Sequence, residues 1–149
     1  MTNNDILRSV RFILNVNELK LAEIIGLADF KVSSEEVSSF LKQENEEGYR
    51  ICSEKMLARF LDGLVILKRG KNENAPLQRL DVSLTNNIIL KKLRVAFQLK
   101  DSDIIRLIDQ AGLKISKAEL GAFFRNPDHR NYRDCGNQFL RNLLRGMAL

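Results

Sequence analysis

The feature that most constrains this chain is its agreement with itself at a shift of 83 positions. Met1–Ile66 aligns with Leu84–Leu149 without a gap. "TNNDILRSVR" faces "TNNIILKKLR", "FKVSSEEVSSF" faces "LKISKAELGAF", and "GYRICSEKMLARFLDGL" faces "NYRDCGNQFLRNLLRGM". Similarity along a whole unit means two copies of one fold rather than a repeated motif. The domain organisation is therefore a first helical repeat at 1–66, a connection at 67–83 and a second helical repeat at 84–149.

Each copy reads as four helices. Helix 1 opens after Thr2 or Thr85, a residue type that caps helix N-termini. Ile6, Leu7, Val10, Ile13 and Leu14 follow at helical spacing, matched by Ile89, Leu90, Leu93, Ala96 and Phe97. Helix 2 runs from about Glu18 to Ala28, and its counterpart from about Asp101 to a left-handed stop at Gly112. Ser33–Glu36 and Ser116–Glu119 fit the capping box that opens helix 3. A polar loop then leads to helix 4, from about Ser53 to Arg69 and from about Gly136 onward. No alternation of apolar and polar residues competes with this reading, although "LQRLDV" in the connection could be extended.

The fold class expected is all-α, with two tandem homologous four-helix units on a shared core. A unit of this length buries only about 60% of its unfolded surface, against about 70% for a chain twice as long. Two such units gain by burying an apolar face together. A domain-swapped or symmetric homodimer would use the same surfaces.

The residues also resemble a known family. "LRSVRFIL", "YRICSEKMLARFLDGLVILKRG" and "LRVAFQLKDSDIIRLI" together look like the YehS-like family of uncharacterised bacterial proteins. The most specific stretch is F-L-D-G-L-x-x-x-K-R-G, Phe60 to Gly70, and the resemblance spans essentially the full chain. It implies two copies of a domain of unknown function in a bacterial cytoplasmic protein. It carries no catalytic residues and no cofactor.

Catalytic chemistry finds little support in the residues themselves. The single histidine, His129, and the two distant cysteines lack metal-ligand spacing, and no phosphate-cradling glycine loop occurs. The chain is read as a non-enzyme with no cofactor and no metal. No apolar run approaches the ~20 residues of a membrane span. The opening "MTNNDILRSV" lacks the basic-then-apolar pattern of a signal peptide, so a cytoplasmic location with reduced thiols is expected.

Both tyrosines and both cysteines lie in Tyr49–Cys52 and Tyr132–Cys135. In one reading, Cys52 and Cys135 sit at a helix start beside Arg50 and Arg133, which favour a thiolate and a redox sensor. In the other, each opens an apolar stripe, Cys52-Met56-Phe60-Leu64 and Cys135-Phe139-Leu143-Met147, and fills the core. The second explains the residue without added chemistry. Arg11/Arg94, Glu36/Glu119 and Arg50/Arg133 are also identical between copies, and an Arg–Glu pair within each unit is the expected reason.

Charge breaks the symmetry. Residues 1–66 hold 8 basic and 11 acidic residues, net −3, whereas 84–149 hold 12 and 6, net +6. Lys91, Lys92, Arg94, Arg130, Arg133, Arg141 and Arg145 form a candidate polyanion-binding set. Helices 2 and 3 of the second copy also resemble a helix-turn-helix, with a turn longer than usual. The chain is thus expected to be a non-catalytic binding or adaptor module with a protein partner. A nucleic-acid-binding protein acting through the basic second copy is the alternative, and a thiol-based sensor the third reading.

Overall fold

The computed structural model describes residues 1–70 and 83–149. The "LQRLDV" segment lies outside them. Among the described residues there are eight α-helices and no strand, divided between two compact units, Met1–Leu84 and Thr85–Leu149. The first unit holds α1 (Asn3–Leu14), α2 (Glu18–Gly26), α3 (Ser34–Leu41) and α4 (Glu54–Arg69). The second holds α5 (Asn86–Phe97), α6 (Asp101–Gln110), α7 (Lys117–Phe123) and α8 (Asn137–Met147).

Helix boundaries follow side-chain chemistry. Thr2, Ser33, Ser53, Thr85 and Ser116 each accept from a backbone N–H one turn into their helix, satisfying a donor that has no partner within the helix. The reciprocal capping box forms at Thr2 and Asp5, where the Asp5 carboxylate accepts from the Thr2 N–H at 2.9 Å. At Ser33 only the serine half forms as expected. Glu36 meets the Ser33 hydroxyl at 3.4 Å instead of the serine amide. The exits repeat as well. Asn15 and Gln98 end α1 and α5 in the left-handed region, and Asp29 and Gly112 occupy it at the matching point after α2 and α6.

Each unit has its own apolar interior. Leu7, Leu21, Ile24, Ile25, Leu57, Phe60, Leu61 and Leu64 are fully buried in the first, as are Leu90, Leu93, Ile104 and Ile108 in the second. Each such side chain contributes about 1.5–3 kcal/mol relative to exposure. The main packing is α2 on α4 and, equivalently, α6 on α8.

Glycine permits that packing. A Cβ on Gly63 would stand 1.9 Å from the Ile24 carbonyl oxygen, and one on Gly146 would stand 2.4 Å from that of Leu107. In both units the backbone of the fourth helix thus touches the backbone of the second. Beside Gly63 the copies differ. Arg59 and Asp62 form a buried pair at 3.5 Å, while the matching positions are a buried Asn142 and an exposed Arg145.

Gly63→Ala should therefore lower the unfolding free energy by about 3 kcal/mol, because the obstacle is backbone that cannot rotate away. Gly121→Ala is the control: it is helical with open space around its Cα, and alanine there should be neutral or gain about 0.5–1 kcal/mol. Chemical denaturation of the two variants checks this. Equal tolerance of both would show that α2 and α4 do not meet at Gly63.

Candidate functional site

The Tyr-Arg-x-Cys segments are held by asparagines. Asn4 is buried in the first turn of α1. Its Nδ2 donates to the carbonyls of Phe40 (3.0 Å) and Arg50 (2.9 Å), and its Oδ1 accepts from the Cys52 N–H (2.9 Å). Asn87 does the same with Phe123 (3.0 Å), Arg133 (2.9 Å) and Cys135 (2.9 Å). Asn3 and Asn86 add a bond each to the carbonyls of Cys52 and Cys135. The Arg50 and Arg133 amides donate back to the carbonyls of Ser39 and Ala122 at the ends of α3 and α7. The motif is thus the backbone partner of the T-N-N stretch, and its residues are placed for pairing rather than for chemistry.

The thiols confirm this. Cys52 is 0% and Cys135 5% exposed. Each precedes the helix cap, so its amide is spent on asparagine and its sulfur lies in the interior. Burial pushes both thiols up from an ordinary value of 9.0 to about 12. A thiolate-based sensor needs the opposite shift.

The expected Arg–Glu pairs do not form among the described residues. Glu36 and Glu119 stay at the capped starts of α3 and α7, where the free amides attract them. Arg11 donates to the Val16 carbonyl at 3.3 Å. Arg94 reaches Asp101 at the start of α6 (2.9 Å), with its guanidinium 4.6 Å from the Phe124 ring centroid.

The seven candidate cations all belong to the second unit. Lys91, Arg130, Arg133, Arg141 and Arg145 are exposed, while Lys92 and Arg94 are half-buried. Arg141 and Arg145 lie one turn apart on α8. Lys91 and Arg94 line different cavities. The second of these, about 470 Å³, brings Arg94, Lys100 and Lys117 to Asp101. The helix-turn-helix comparison meets an obstacle. Residues 111–116 separate α6 from α7, which is only seven residues long and exposes Glu119 in its first turn.

The larger cavity, about 600 Å³, falls within the range of small-ligand sites. It lies between the start of α5, the end of α7 and the following loop. Ile88, Phe123, Phe124 and Pro127 give it apolar walls, and Lys91, Arg125, Tyr132 and Asp134 give it polar ones. Phe123 is fixed against Phe139 with ring centroids 4.9 Å apart, and Phe124 lies under Arg94. The walls are therefore held before any ligand arrives. Lys91 was legible as a cation, but Arg125 and the aromatic walls were not, because only the fold brings them to it.

The first unit treats the same place differently. Position 91 corresponds to Arg8, 88 to Asp5 and 125 to Lys42. Arg8 donates to the Lys42 carbonyl at 2.8 Å and pairs with Asp5. Its guanidinium thus straps α1 to the end of α3 across the matching region.

Among the described residues no three His, Cys, Asp or Glu side chains cluster as metal ligands, and no helix is long and apolar enough to cross a membrane. His129 is exposed, and its Nδ1 accepts from the Asn131 N–H at 3.0 Å.

Two outcomes follow from the asparagine clamp. Asn4→Ala or Asn87→Ala strands a buried amide and two carbonyls, and should cost about 3 kcal/mol in denaturant unfolding. A loss under about 0.5 kcal/mol would show that water replaces the side chain. The native thiols should react with a thiol reagent at least ~100-fold more slowly than free cysteine near neutral pH. The sign of their pH dependence is fixed: their contribution to stability is complete below about 9 and is lost as pH rises toward about 12. Labelling at the free-cysteine rate would refute this burial.

Comparison with known proteins agrees with the duplication. The family described as "Protein of unknown function (DUF1456)" matches residues 3–70 and again 86–149. The chain is 45% identical over 148 residues to the uncharacterised protein YehS of Escherichia coli (strain K12), covering 99% of this chain and 95% of that protein. No solved structure matches. Two family matches that coincide with the two helical units, and a near full-length relative, show that the chain belongs to the DUF1456 family, in two copies.

Proposed function

We propose that this protein is a non-catalytic binding module and that its second unit makes the contact. The observation that supports this reading is the contrast at one repeated position. The second unit has a cavity of about 600 Å³ with fixed aromatic walls and two cations, whereas the first unit has the Arg8 strap there. Duplication explains why both units keep the clamp and the glycine crossing. It does not explain aromatic walls and two cations where the first unit has a carboxylate–guanidinium strap, which selection for binding would.

A nucleic-acid-binding reading is favoured by a separate observation, the net charge of +6 on residues 84–149 with Arg130, Arg133, Arg141 and Arg145 exposed. The exposed Glu119 at the start of a short α7 counts against groove docking by that helix. A basic face reading phosphates without base contacts is the form this alternative takes.

One set of titrations separates the two. Ligand-observed resonance with a small-fragment set on the full chain should give hits that compete with one another. Ile88→Trp, which fills the cavity, should abolish them. Hits untouched by Ile88→Trp would overturn the cavity reading. Salt-sensitive oligonucleotide binding that survives Ile88→Trp but is lost on Arg141→Glu with Arg145→Glu would establish the alternative.

A further inference from the structure

In the first unit, the cation of the second turn of α1 already has an acid. Arg8 pairs with Asp5 one turn earlier, and the pair is tied to the Lys42 carbonyl at the end of α3. In the second unit the cation is kept as Lys91, and the acid becomes Ile88. Lys91 and Arg125 carry no ion pair or hydrogen bond with another side chain among the described residues. The single acid of the cavity wall, Asp134, leaves the lining with one net positive charge. The position that supplies a carboxylate in one copy therefore supplies an apolar wall in the other, beside a cation of the same sign.

We propose that the second unit binds a carboxylate borne on an apolar group, supplied from outside the chain. The carboxylate takes the role toward Lys91 that Asp5 plays toward Arg8, with Arg125 as the second cation. The apolar body lies against Ile88, Phe123, Phe124 and Pro127. This rests on the cavity reading above and adds the ligand's chemistry to it. A phosphate would also be attracted to the two cations. However, the walls are chiefly apolar, which suits an acid borne on an apolar body rather than a bare tetrahedral anion. The acid can belong to a free small molecule or to the C-terminus of a peptide, since both present one carboxylate next to an apolar side chain.

The test uses the full chain, N-acetyl-phenylalanine and its carboxamide. A short peptide ending in phenylalanine is added, with its C-terminus free or amidated. Backbone resonances of Lys91 and Arg125 report the site. At least one free acid should bind about tenfold more tightly than its amide, as expected for a charge-assisted contact. Lys91→Met should bring that acid down to the amide's affinity. Ile88→Asp, which restores an acid from within, should weaken the acid by a similar factor. Binding of the small acid points to a metabolite-like ligand, and binding of the peptide acid alone points to a chain terminus; both sustain the proposal. Acid and amide binding equally at these resonances would overturn the carboxylate while leaving the cavity reading intact. No response to any of the four compounds would overturn the proposal, and the fragment titration then decides separately whether the cavity binds anything.

Discussion

The fold of each unit depends on one side-chain amide. Asn4, or Asn87, stands in the first turn of its unit's first helix and reaches the end of the third helix and the segment that enters the fourth. Its two N–H donors and one oxygen satisfy a carbonyl at the end of the third helix and a carbonyl and an amide that flank the buried cysteine. Aspartate has the shape but cannot donate, and leucine has the volume but no polarity. Buried backbone without such a partner is costly enough to relocate the segment. Three parts of the chain separated by nearly fifty residues are thus set by one group, and the helix packing is built around it.

Much of this architecture was legible in the residues. The gapless repeat, the N-cap threonines and serines, and the left-handed stop at Gly112 all express local chemistry, which sequence carries directly. What could not be read depended on residues meeting across the fold. The identity of Asn4 and Asn87 was visible, but its reason lay 36–48 positions away. Gly63 and Gly146 were visible as repeated glycines, but only the carbonyls of Ile24 and Leu107 explain them. The Arg–Glu pairing failed for a related reason. Repetition marks residues that matter, without saying to what they are bound, and Glu36 meets the Ser33 hydroxyl of its own helix start instead.

Candidate site residues were harder still. Net charge showed that the two copies differ at their surfaces, and Lys91 does line the cavity of about 600 Å³. The other six cations were grouped by sign alone, and sign places nothing in space. Arg125, Phe124 and Pro127 belong to the loop after α7, where no periodic pattern speaks. Their convergence on Lys91 follows from the Asn87 clamp, which holds the end of α7 and the Arg133 carbonyl against the start of α5.

That link between clamp and cavity bears on how the two copies can differ at this corner. Where the first unit has Asp5 and Arg8, the second has Ile88 and Lys91, and no such strap joins α5 to the end of α7 among the described residues. A unit without the strap has one contact fewer between those two elements. That is tolerable because Asn87 joins the same two elements independently, through the Phe123 carbonyl, and Phe123 is anchored again on Phe139. The scaffold is over-determined at that corner, so the unit does not need both connections to hold it. Copies built on the same clamp can thus differ in their surfaces while keeping their cores alike, and the opposite net charges of the two copies are that difference.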